Sequence, residues 1–168
     1  PFCTLAVGGC PPATPVPPAC SYTHSSSPSL PPVLAVSHLE LNFARQIAYG
    51  SLVGDLFGVE TRGASRETMF AHMARLKEDR AVLLRRLVAL LDAMRAQPEV
   101  DSNRVAVIGF CFGGLCALDL ARSGADLVAA ASFPGLFDPP GLPPQPIKAR
   151  GAAYPGGEDP PCPPQRVT

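Results

Sequence analysis

The stretch Arg104-Val105-Ala106-Val107-Ile108-Gly109-Phe110-Cys111-Phe112-Gly113-Gly114 constrains the fold more than any other part of the chain. After Arg104 comes a β-branched apolar run without charge, the pattern of a parallel strand buried on both faces. The run ends in a glycine-flanked cysteine. Gly113 to Arg122 then reads as a helix, with Leu115, Leu118, Leu120 and Ala121 able to face a sheet, and Leu127 to Phe133 (LVAAASF) reads as a second buried strand. Alternation of this kind describes a βαβ unit and an α/β fold.

Upstream, Met69, Met73, Leu76, Leu83, Leu87, Leu90, Leu91 and Met94 recur at helical spacing, with Ser65 placed as N-cap, Glu67 in the first turn and Pro98 closing the segment. A methionine and leucine stripe is core far more often than a ligand box. The polar cluster Lys77-Glu78-Asp79-Arg80 is a candidate break, giving two helices, the second from Asp79 to Ala96. Val33 to Val36 and Leu52 to Phe57 are short candidate strands, the latter passing at Gly58 into a loop.

The strand-to-helix junction reads Gly-x-Cys-x-Gly-Gly, and its chemistry follows from that spacing. A nucleophile at the tip of a sharp strand-to-helix turn sits in strained backbone geometry. The positions two before and two after it, Gly109 and Gly113, must then be small for strand and helix to approach, and Gly114 follows in the helix. Cys111 falls at a helix N-terminus, where unpaired N–H groups and the helix dipole favour negative charge on sulfur. The backbone N–H of Phe112 supplies half of an oxyanion hole, and the second donor is sought near Ser37 to Asn42. Other readings of the same residues fail. A Cys-x5-Arg phosphatase loop needs Arg where Ala117 stands, and a Gly-x-Gly-x-x-Gly fingerprint needs glycine where Cys111 stands. A buried, inert cysteine in a tight glycine turn is the bland alternative. A redox pair of Cys111 and Cys116 is weaker, because a five-residue offset on one helix separates the two sulfurs.

Charge and proline separate the ends from the middle. No Asp, Glu, Lys or Arg precedes Glu40, nine of the 21 prolines lie at or before Pro32, and Pro98 alone lies between Pro32 and Pro134. Residues 1–32 read as a disordered Pro/Ser-rich leader and 33–168 as one domain. The leader is a poor signal peptide and cannot span a membrane. With formal net charge +0, neither nucleic acid nor an acidic membrane face is indicated as partner. The six cysteines show no zinc spacing, and no cofactor or metal is implied. The core cysteines read as reduced, hence a cytoplasmic setting.

The segment RVAVIGFCFGGLCALDLARSGADL resembles the nucleophile region of the dienelactone hydrolase (carboxymethylenebutenolidase-like) family. GDLFG is similar to the family's strand-end Asp-Leu-Tyr/Phe-Gly, and EDRAVLLRRLVALLDAMRAQPEVDSNRV to the helix and turn before the nucleophile strand. The resemblance covers about 42–150 and implies a partial α/β-hydrolase, a mostly parallel sheet flanked by helices. It implies hydrolysis of a small-molecule lactone or ester, with Cys111 as nucleophile. Gly156-Gly157-Glu158-Asp159-Pro160-Pro161-Cys162-Pro163 matches the family's Gly-x-x-Asp-x-x-x-Pro, so Asp159 takes the acid's place, ahead of its neighbour Glu158.

The chain departs from the family at three points. Gly151-Ala152-Ala153-Tyr154-Pro155, where a strand should precede Asp159, has poor strand character. Ala44 to Asp55 is short for the family's first helix and following strand, and Glu40 is a weak counterpart of its early acidic residue. The family's histidine follows the aspartate, whereas His24, His38 and His72 all precede Cys111, and each reads as an incidental imidazole. The expectation is therefore a truncated, impaired hydrolase; the alternative is a non-catalytic remnant that keeps scaffold and nucleophile without a working triad.

Overall fold

The computed structural model describes residues 4–9, 49–53, 56–58, 61, 63–98, 100–135, 137–143 and 145–154. Strands β1 (Thr4–Gly9) and β2 (Tyr49–Val53) form an antiparallel pair, and β1 also runs alongside β3 (Ala106–Cys111). Helices α1 (Arg66–Glu78) and α2 (Arg80–Arg95) follow β2 in the chain and precede β3. Helix α3 (Phe112–Arg122) continues directly from β3, then come β4 (Ala129–Gly135) and β5 (Arg150–Ala153). Strands β3, β4 and β5 form a parallel sheet in that order, the α/β arrangement expected from the alternation of strand and helix.

The break between α1 and α2 falls at Asp79. Ser65 caps α1 by accepting from the Thr68 N–H at 3.2 Å, and Asp79 ends that helix while capping the next by accepting from Val82 N–H at 2.9 Å. The leucine stripe does what its spacing demands: Leu83, Leu87, Leu90, Leu91 and Met94 are buried in one cluster with Val105, Val107 and Ala130 of the sheet region and Leu115 and Leu120 of α3. Side chains alternate along β3, Val107 and Gly109 buried, Ala106 and Ile108 half-buried. At the strand's C-terminal end Phe110, Phe133 and Tyr154 stack across β3, β4 and the end of β5, with ring centroids 5.4 and 4.6 Å apart.

Two expectations from sequence are corrected here. Thr4–Gly9 belongs to the stretch assigned by composition to a disordered leader, yet it is a strand. No proline falls between Phe2 and Cys10, and pairing with Tyr49–Val53 satisfies its backbone groups. Residues 10–32 lie outside the described residues. The segment after Arg150, poor in strand character, is nevertheless β5. At the side of β4 it needs backbone hydrogen bonds only, and these are made by Arg150 N–H to the Val128 carbonyl at 3.2 Å and Tyr154 N–H to the Ser132 carbonyl at 2.8 Å.

Candidate active site

Strand β3 delivers Cys111 to the C-terminal end of the parallel sheet, the end at which open α/β sheets form their crevices. Register is regular from Ala106↔Ala129 to Phe110↔Phe133 and then shifts, so that Cys111 pairs with Gly135. The chain turns there within one residue. Cys111 has φ 54° and ψ −116°, the one non-glycine residue with positive φ among those described. Such a conformation costs on the order of 1–3 kcal/mol and persists where surroundings over-determine it.

What holds the turn is close packing of strand on helix. A Cβ at Gly109 would overlap the carbonyl oxygen of Gly113 and stand 2.7 Å from the Gly114 nitrogen, so residue 109 has to be glycine. Gly113 and Gly114 are themselves buried in the first turn of α3. Cys111 is the N-cap of that helix without a side-chain capping bond, and its thiol is exposed, whereas Cys116 is buried. The exposed/buried split matches the separation of sulfurs argued from their offset. Phe112 opens α3, and its backbone N–H is one of the first-turn donors with no intrahelical acceptor. Its ring is 1% exposed and stacks on Phe57 with centroids 5.8 Å apart.

A buried ion cluster braces the other end of α3. Arg80, read from sequence as part of a polar break, is 7% exposed and donates to Asp119, with further bonds from its Nε to the Lys77 carbonyl at 3.1 Å and its guanidinium to the Asp138 carbonyl at 3.3 Å. Arg122 approaches Asp119 at 3.5 Å. Burial holds the Asp119 carboxyl above its ordinary value, and the guanidiniums of Arg80 and Arg122 draw it part of the way back. An apolar groove between α2, this end of α3 and the 139–147 loop lies away from Cys111. Sequence reasoning missed Arg80, Asp119 and Phe57. A charged pair 39 residues apart carries no local signal, and Phe57 was visible only within the GDLFG motif.

Of the residues assigned from sequence, Gly109, Cys111, Phe112, Gly113 and Gly114 stand together in this turn. Asp159, Glu158, Glu40, His24, His38, the Ser37–Asn42 loop and the Val33–Val36 strand lie outside the described residues. His72 is on α1, half-buried. Among the described residues no group of three His, Cys, Asp or Glu is placed to hold a metal ion, and no helix is long and apolar enough to cross a membrane.

Sequence and fold both have counterparts in known proteins. A profile of the dienelactone hydrolase family matches residues 41–168, most of the chain. The chain belongs to the dienelactone hydrolase family. Two solved structures of dienelactone hydrolase type superimpose on it. One, m3DLH, is 37% identical with a TM-score of 0.63 and covers 78% of this chain. The other, a dienelactone hydrolase-like promiscuous phosphotriesterase from metagenomic libraries, is 33% identical with a TM-score of 0.61 and covers 77% of this chain. The fold is therefore that of the α/β-hydrolases, and the family is one of hydrolases. An uncharacterized protein of Caenorhabditis elegans, K02A2.1, is 46% identical over 55 residues, 32% of this chain and 35% of its own length. The chain spans 56% of each solved dienelactone hydrolase relative.

Proposed function

We propose that the protein is a dienelactone hydrolase-family enzyme in which Cys111 is the nucleophile toward a lactone or carboxylic ester. The observation that carries this reading is the exposed cysteine at φ 54°, held between the end of a parallel strand and the N-terminus of a helix. Strain of that kind is retained at functional sites, and a buried, inert cysteine would not require it.

In the reaction, the Cys111 thiolate attacks the acyl carbonyl, forming an S–C bond and moving the π electrons onto oxygen. The Phe112 N–H donates to that oxyanion. Collapse re-forms the carbonyl and breaks the C–O bond, the alkoxide leaving with the electron pair and taking a proton from a general acid. Water then attacks the thioester with base assistance, releasing the carboxylate and the thiol. In the family a histidine oriented by an aspartate moves these protons, and Asp159 stands in the aspartate's place. The 168 residues hold no histidine after Cys111, so by themselves they acylate with little turnover. The hydrolase domain is assigned to residues 33–168, with Thr4–Gly9 adding a strand to it. A free thiol nucleophile fits a reducing, cytoplasmic compartment.

The test is acetylation by p-nitrophenyl acetate. The expected result is about one equivalent of p-nitrophenolate per chain, with the acetyl mass on the peptide carrying Cys111. A burst that survives in Cys111→Ala would assign the nucleophile elsewhere. Sustained turnover that is lost in that variant would keep Cys111 and show that another group, His38 or His72 among them, serves as base.

A further inference from the structure

We propose that Phe57 is a positioning residue, whose ring fixes the direction of the Phe112 N–H toward the developing oxyanion; the inference rests on Cys111 being the nucleophile. The direction of that N–H is set by the ψ of Cys111, which is −116° in a backbone region that side chains of L-residues avoid. Helical hydrogen bonding does not hold it, because a first-turn N–H has no partner within the helix. Beside the packing of Gly109 on Gly113, the hold that a side chain supplies is that of Phe112. It is buried and lies against the Phe57 ring at 5.8 Å between centroids and 22° between planes.

Phe57 is in turn held from both sides. The Leu56 carbonyl accepts from the Arg86 guanidinium of α2. The Gly58 carbonyl accepts from the Thr61 hydroxyl at 2.7 Å and from its N–H at 3.1 Å. Leu56 and Thr61 are buried as well. The loop thus forms a fixed wall, tied to α2, against which the first residue of α3 is set. Stacked aromatic pairs of this separation favour one relative orientation, which an aliphatic residue of similar volume does not impose.

Two reactions of one sulfur separate positioning from plain stability. Acylation by p-nitrophenyl acetate forms an S–C bond at a carbonyl and expels p-nitrophenolate, passing through an oxyanion. Alkylation by iodoacetamide displaces iodide at a tetrahedral carbon with no oxyanion. In the 168-residue chain, Phe57→Met is expected to lower the acylation rate constant about tenfold while alkylation of Cys111 stays within about twofold of wild type. Phe57→Tyr, which keeps the ring, is expected to restore the ratio. Phe112→Leu removes the other half of the stack and should lower the ratio equally, and combining it with Phe57→Met should lower it no further. It also carries the test if Phe57→Met loses its far-ultraviolet dichroism. Variants of either residue that keep the wild-type ratio, or that slow both reactions alike, overturn the role of Phe57. A wild-type chain that takes no acetyl group on Cys111 overturns the nucleophile assignment instead, and the positioning role with it.

Discussion

Gly109 and Gly113 meet face to face: a Cβ added to the first would occupy the space of the second's carbonyl oxygen. Strand and helix touch there through backbone alone. Gly109→Ala must push the first turn of α3 off β3 and is expected to cost on the order of 3 kcal/mol, the upper range for overpacking. Gly63→Ala, with φ 76° but nothing within 4 Å of its Cβ, meets backbone strain only and should cost about 1 kcal/mol. Urea midpoints of the two variants check the order. Equal shifts would mean that the elbow yields more easily than its packing implies.

The strain at Cys111 makes a prediction of opposite sign. Its φ of 54° and ψ of −116° mirror the extended region and are open to glycine. Cys111→Gly should therefore gain roughly 1 kcal/mol in stability after the entropy cost of glycine, while abolishing acylation. Thermal melts compare it with Cys111→Ala, which keeps the strain and should gain nothing.

Reactivity should divide the two cysteines of α3 and its cap. Cys111 is exposed and Cys116 buried in the core cluster, so iodoacetamide under native conditions is expected to modify Cys111 at least about tenfold faster. Peptide mass mapping resolves the sites, and urea should abolish the difference.

The Arg80–Asp119 pair is nearly inaccessible to solvent, so removing one partner strands a buried charge. Arg80→Met is expected to destabilise by about 3–5 kcal/mol, and adding Asp119→Leu should recover much of that. The pH dependence follows from the carboxyl. Burial already raises its folded value above the unfolded one, and losing Arg80 raises it further. A raised carboxyl contributes stability that is fully present below the unfolded value and is lost as pH rises through the folded one. The deficit of Arg80→Met should therefore be smaller at about pH 5 than at about pH 7. A deficit that grows on acidification would show that Asp119 stays ionised without Arg80.

The elements nearest the candidate site were legible in the sequence because their signals are local. The apolar run of β3, the glycines of the turn and the leucine period of α2 each act within a few residues, and the structure places strand, elbow and helix where those patterns put them. Other features were decided by the tertiary structure. Thr4–Gly9 and Arg150–Ala153 are strands because partner strands satisfy their backbone groups, not because their side chains favour extension. Arg80 is buried because Asp119, distant in sequence, meets it with opposite charge. Phe57 reaches Phe112 because Arg86 and Thr61 hold its loop in place. Local backbone preference is written into neighbouring residues and can be read from them. Long-range pairing depends on where the folded chain brings two surfaces together, and only the assembled structure contains that information.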